Sequence, residues 1–217
     1  DPREMIGSGK VGLLTSTVLH PIRVILGADF LGQFVVEFDF DAGALTLHPR
    51  SGFAPPQAAL VPLSPMRRGS ALRTAPLQVE GRGVQALVDT GSQSALILSP
   101  APARRLKLTA DRLVSTSPVG SFGGPTTARI TAAKTLDLGG QSFSDAPVQI
   151  TSRDLGAEGN LGLDLLSRFH LWLDLAGGRM WLKARAAQPP FERNLLGLFG
   201  LPDGDESLRV TFVAKDS

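Results

Sequence analysis

The sequence contains no cysteine. Thiol catalysis, disulfides and cysteine-based zinc sites are therefore excluded, and the chain suits an oxidising compartment without requiring one. Histidine is scarce. His20, His48 and His170 lie far apart with no ligand spacing, so no metal site is expected. Aromatics make up only 6% of the residues and the net charge is +2, with arginines scattered rather than striped. Neither the stacking platform nor the basic track that nucleic acid needs is present. No apolar run approaches the ~18 residues of a membrane span, and the opening residues carry no signal-peptide pattern.

What the chain does have is turn formers: 24 Gly and 16 Pro, set among short Val/Leu/Thr runs, which predict a mostly β architecture. With 42% hydrophobic and 19% charged residues it reads as globular, and 217 residues hold one large domain or two small ones.

A repeat organises it. Val24 to Arg50, "VILGADFLGQFVVEFDFDAGALTLHPR", aligns without a gap on Gly159 to Arg185, "GNLGLDLLSRFHLWLDLAGGRMWLKAR". The offset is 162 − 27 = 135, and the identities include Leu26/Leu161, Gly27/Gly162, Asp29/Asp164, Asp39/Asp174 and Arg50/Arg185. Each copy predicts an apolar stretch ending in Leu-Gly, a short helix (Ala28 to Gln33; Leu163 to Arg168), then a hairpin. The hairpin strands are Phe34–Phe40 with Ala44–His48, and Phe169–Leu175 with Arg179–Lys183, the second turning on Gly177-Gly178. Trp172 and Trp181 face each other across it as packing residues. Gly27 and Gly162 are either turn glycines or places where another backbone passes too close for a Cβ. Asp29 and Asp164 read as structural, capping the short helix or bonding to neighbouring backbone.

Residues 1–50 look like the back half of a first repeat, with an apolar strand at Val11–Leu19. Residues 51–74 are a Pro- and Ser-rich connection, 75–185 a complete second repeat, and 186–217 a linker and tail. Within 75–185, strands are expected at Ala75–Glu80 and Val84–Val88. They lead to "LVDTGSQSALI", in which an apolar strand ends on Asp89 and a Thr-Gly-Ser turn. A further strand follows, then a helix capped by Ser99-Pro100, a hairpin tipped by Gly120–Gly124, a turn at Gly139-Gly140 and a strand at Val148–Thr151.

The ordered trio of "DTGS", the glycine-rich "VGSFGG" and "NLGLDLL" ahead of a closing hairpin resembles the retropepsin-like aspartic proteases, most of all their bacterial tandem-repeat relatives. "ILGADFL" fits the last element in the first copy. The resemblance implies retropepsin/pepsin-like lobes, the first truncated and the second complete. It implies peptide-bond hydrolysis by a water held between two carboxylates, a polypeptide substrate, and no metal or cofactor. Asp89 would be one acid. Thr90, Gly91 and Ser92 would support its loop, Ser92 by donating to the outer carboxylate oxygen. Leu161 and Gly162 would run beneath that loop, and Phe122, Gly123 and Gly124 would form the flap. A periplasmic or cell-surface location is likewise implied. The family needs two acids and this chain carries one Asp-Thr-Gly. The equivalent position is 89 − 135 = −46, so the second acid is expected from the missing part of the first repeat or from a homodimer mate. The rival reading is a non-catalytic peptide-binding or scaffolding module. The tail, "NLLGLFGL" then "LRVTFVAKDS", resembles the opening of a PDZ domain; a terminal hairpin packed on the preceding domain is the alternative.

Overall fold

The computed structural model describes residues 25–108, 115–119, 126–186, 188–191, 198–202 and 207–213. The strand expected at Val11–Leu19 and the hairpin tip that holds Phe122, Gly123 and Gly124 lie outside them. The fold is mostly β. Among the described residues no helix is long and apolar enough to cross a membrane.

The larger sheet carries the candidate acid. Its first hairpin is β5 (Arg73–Val79) and β6 (Arg82–Val88), turning on Glu80 and Gly81 with φ of 52° and 70°. Two successive left-handed residues give the tight turn whose twist suits a hairpin. Ala75, Leu77 and Val79 on β5 and Val84 and Ala86 on β6 are buried, the period of two expected of a half-covered sheet. β7 (Leu96–Leu98) is buried at every residue. It lies between β12 (Ala146–Ile150) and β13 (Gly159–Leu161), parallel to the former and antiparallel to the latter. β13 in turn runs parallel to β6. The rim is completed by β8 (Ser115–Val119) with β9 (Thr126–Ala133), which pairs β12, and by β10 (Leu136–Leu138) with β11 (Gln141–Phe143) beside β5. The helix Pro100–Arg105 begins after Ser99 as expected, but the Ser99 hydroxyl makes no cap. It donates to the Ala157 carbonyl at 2.8 Å and accepts from the Leu155 N–H, tying down the loop that feeds β13.

The second sheet contains both copies of the repeated hairpin. β1 (Phe34–Asp39) and β2 (Ala44–Pro49) form one; β14 (Phe169–Asp174) and β15 (Arg179–Ala184) form the other, and β1 pairs β14 antiparallel. Phe34↔Pro49 in the first hairpin becomes Phe169↔Ala184 in the second, a shift of 135 at each residue. Adding 135 to Val36 and subtracting it from its partner Leu173 gives Leu171 and Phe38, which are also paired. The junction therefore maps onto itself about Glu37↔Trp172. The short helices obey the same offset, Ala28–Leu31 against Leu163–Leu166, down to Leu31 N–H on Gly27 O and Leu166 N–H on Gly162 O.

Burial breaks the correspondence. Leu161 and Leu165 are fully buried, whereas their counterparts Leu26 and Phe30 are 48% and 38% exposed. The connecting segment is not all coil. Its β3 (Ala59–Pro62) adds to the edge of β15, and β4 (Ser64–Pro65) pairs β5. Arg168, beside the second short helix, is buried, donates to Pro189 O at 2.7 Å and lies 3.5 Å from the centre of the Phe191 ring, which straps the start of the tail to the core. Beyond it, β16 (Leu198–Pro202) and β17 (Leu208–Val213) pair antiparallel as a separate two-stranded sheet.

Candidate active site

Asp89 follows the last residue of β6. β13 fills the gap between β6 and β7, and the loop joining those two strands must pass over its end. Three backbone bonds fix the crossing: Asp89 N–H to Leu161 O at 3.0 Å, Leu163 N–H to Ser92 O at 2.7 Å, and Gly162 N–H to Ala95 O at 3.2 Å. A Cβ on Gly162 would strike the carbonyl oxygen of Ser94 and lie 2.7 Å from that of Ser92. Of the two meanings open to this glycine in the sequence, the close backbone approach is the one seen. Leu161 lies beneath the loop, fully buried.

The loop curls back on its own carboxylate. Gly91 N–H donates to Asp89 Oδ1 at 2.9 Å, and Ser92 N–H donates to the Asp89 carbonyl at 3.2 Å. Asp89 and Thr90 are partly buried at the turn, and Gly91 is exposed. The second carboxylate oxygen takes its donor from a residue that sequence reasoning passed over as a site residue. Asn160, on β13, donates Nδ2–H to Asp89 Oδ2 at 2.8 Å. Among the described residues this bond stands in the place expected of the Ser92 hydroxyl. A parallel β6–β13 pair with Leu87 opposite Asn160 brings the amide there, and no local pattern in the sequence announces that register.

Among the described residues no ion pair joins Asp89 to another side chain. Gly162 is the N-cap residue of the second short helix, and Asp164 in its first turn lies 3.5 Å from Arg168 in an i,i+4 pair. Glu158 is held by Arg105 at 2.6 Å and by the Gln85 N–H at 2.8 Å.

A second polar cluster lies at the junction of the two hairpins. His48 and His170 each direct Nε2 at the Glu37 carboxylate, at 2.5 and 2.6 Å, and the His170 ring stacks on Trp172 at 4.2 Å. Burial raises the Glu37 carboxyl, but the hydrogen bonds and charges of the two imidazoles outweigh it and hold the group below its ordinary value. These histidines are distant in sequence and meet only because β1 and β14 pair. Among the described residues no group of three or more His, Asp or Glu side chains is arranged to hold a metal ion.

Residues 75–165, the stretch holding the Asp89 loop and β13, match the family model described as "Aspartyl protease". No curated protein matches the chain. Among solved structures it is similar to a retropepsin-like aspartic protease from Rickettsia conorii, with 21% identity, covering 57% of this chain and 87% of that one, at a TM-score of 0.46. It is also similar to EIAV protease complexed with the inhibitor HBY-793, with 21% identity, 46% and 90% coverage, and a TM-score of 0.39.

Proposed function

We propose that this chain supplies one acid of an aspartic endopeptidase and that Asp89 is that acid. The observation that carries the reading is the held carboxylate. Asp89 sits at the end of a strand, with one oxygen bonded by Gly91 N–H and the other by the Asn160 amide, in the segment that matches the aspartyl protease family. Two carboxylates held close cannot both ionise, so they share one proton and divide into a base and an acid. The ionised member removes a proton from a water as its oxygen bonds to the scissile carbonyl carbon, and the protonated member gives its proton to the carbonyl oxygen. The resulting gem-diol collapses as the C–N bond breaks. The proton taken from the water passes to the leaving nitrogen, and a hydroxyl proton returns to the second acid.

The second acid comes from a lobe that covers Leu26 and Phe30 as the Asp89 lobe covers Leu161 and Leu165. That lobe is either the front of the first repeat or a second copy of the chain. The flap is formed by Phe122, Gly123 and Gly124, and the substrate is an extended polypeptide. A periplasmic or cell-surface location accords with the absence of cysteine. The tail hairpin fits the first two strands of a PDZ domain, which would dock a peptide end near the protease.

The test is Asp89→Asn in a protein that contains both acids, assayed on a peptide library from acid to neutral pH. Turnover should vanish while the fold persists, because the shape is almost unchanged and the base is gone. Equal cleavage by the two proteins would make Asp89 a turn residue and refute the reading, and no cleavage by either would leave a peptide-binding module.

A further inference from the structure

The two copies of the repeat differ at the position that reaches Asp89. Asn160 lies under Asp89, and its counterpart is 160 − 135 = 25, an isoleucine. Asn160 Nδ2 bonds Asp89 Oδ2 at 2.8 Å. A carboxylate only accepts, so the nitrogen and not the oxygen must face it. The amide oxygen, Asn160 Oδ1, is buried and has no hydrogen-bond partner among the described residues. An acceptor left unpaired in this way costs stability, and an aliphatic side chain between Leu87 and Ile97 would avoid the cost. The first copy has that aliphatic side chain. Asn160 is thus poorly explained as a packing residue and well explained by its bond to Asp89.

No other charged group competes for Asp89 among the described residues. On the elements around it, Glu158 is engaged with Arg105, Asp164 lies against Arg168, and the Arg82 guanidinium donates to the Arg105 carbonyl. Backbone donors do not distinguish the lobes, since a second lobe of the same design would bring its own glycine N–H. The amide at 160 and the isoleucine at 25 do.

We infer that Asn160 is a positioning residue that keeps Asp89 as the proton acceptor and, where the second acid is supplied by the first repeat over Ile25, breaks the symmetry of the carboxylate pair and leaves the shared proton on that acid. This rests on the aspartic protease reading. A lone N–H donor favours the charged oxygen over a protonated one. In the hydrolytic step, Asp89 therefore takes the proton from the water, and the opposite acid protonates the substrate carbonyl.

The experiment uses the protein carrying both acids and compares wild type, Asn160→Ile, Asn160→Ser, the exchange Asn160→Ile with Ile25→Asn, and Asp89→Asn, reading kcat and KM across pH. Asn160→Ile should lower kcat about tenfold or more with KM little changed, and should move the acidic limb of the profile toward neutral pH, since one charge-assisted hydrogen bond is lost. Asn160→Ser, a small side chain that withdraws the amide with little steric demand, should do the same and guards against a variant that fails to fold. The exchange should recover most of kcat, because either acid can serve as base once it alone holds the amide. If Asp89→Asn is inactive and both Asn160 variants keep the wild-type pH profile, Asn160 is merely structural and this inference fails while the protease reading stands. If Asp89→Asn retains wild-type activity, the protease reading fails and takes the inference with it.

Discussion

Glu37 stands directly opposite Trp172 where the two hairpins join, and the two are the same position of the repeated unit, since 172 − 37 = 135. The local two-fold axis of the junction runs between them, so one carboxylate on this axis can be reached from both hairpins. His48 approaches it from β2 and His170 from β14. Glu37 is therefore the polar clasp of the seam, and its charge should matter to stability. Glu37→Ala should cost about 1.5–3 kcal/mol, the range for hydrogen bonds to a charged group. The folded state holds this carboxyl below its unfolded value, so its contribution is complete above the ordinary glutamate range, near pH 4–5, and is lost as pH falls through the depressed value. Urea melts of wild type and variant should differ at neutral pH, and the difference should shrink as pH falls below the ordinary glutamate range.

Asp174 is the buried counterpart of this clasp. It is 1% exposed, accepts from Gly177 N–H at 2.7 Å and Arg179 at 2.8 Å, and lies 3.2 Å from Arg50, which comes from the first hairpin. Burial raises its carboxyl, and the Arg179 bond, the Gly177 N–H and the charge of Arg50 together bring it below the ordinary value. Removing both guanidiniums, Arg50→Ala with Arg179→Ala, would leave a buried charge with one backbone donor. The cost should be about 3–5 kcal/mol. Asp174→Asn should cost less, about 1–3 kcal/mol, because the two arginines are half exposed and turn to water. Thermal melts that ranked the two variants in the opposite order would show that the arginines, and not the buried acid, set the cost.

The exposed apolar residues of the first copy make a prediction about association. Leu26 and Phe30 present surface whose counterparts are fully covered. Apolar surface left open in this way promotes contact with another surface. The 217-residue chain should associate in light scattering, and Leu26→Ser with Phe30→Ser should shift it toward monomer. A wild-type chain that remained monomeric at high concentration would count against a covering lobe on this face.

Much of the architecture was legible because the repeat has no gap. Once Gly27 is laid on Gly162, both short helices and both hairpins follow to within one or two residues, and the Trp172–Trp181 pair is met as expected. The turn at Gly139-Gly140 was equally plain, with both residues at positive φ. The place of Asp89 at a strand end was legible through its setting between "ALV" and "SALIL". What stayed hidden depends on register between distant strands. Nothing near Asn160 in the sequence tells that β13 will insert between β6 and β7 and aim an amide at Asp89. His48 and His170 appeared isolated for the same reason. Ser99 misled in a smaller way: it occupies the N-cap position, but a loop more than fifty residues away offers its hydroxyl better partners.

Gly162 and Gly27 provide the sharpest comparison within one chain. Both precede a short helix, both have negative φ, −113° and −81°, and neither requires glycine for its backbone angle. Their surroundings differ. A Cβ at 162 would collide with the carbonyl of Ser94 and lie 2.7 Å from that of Ser92, backbone atoms that carry the Asp89 loop and cannot move without shifting it. A Cβ at 27 would meet only the Asp29 carboxylate at 2.6 Å, the end of a side chain that can rotate away. Gly162→Ala should therefore cost about 2–3 kcal/mol, the usual scale for forcing a methyl into a closed site. Gly27→Ala in the same protein should change stability by no more than about 0.5 kcal/mol. In the protein with both acids, Gly162→Ala should also lower kcat, because the Asp89 carboxylate moves with its loop. Chemical denaturation of the two variants, with hydrogen exchange at the Gly91 and Ser92 amides, separates the cases. Equal stability of the two alanine variants, with unchanged protection at those amides, would mean that the crossing of β13 beneath the Asp89 loop is looser than its geometry indicates.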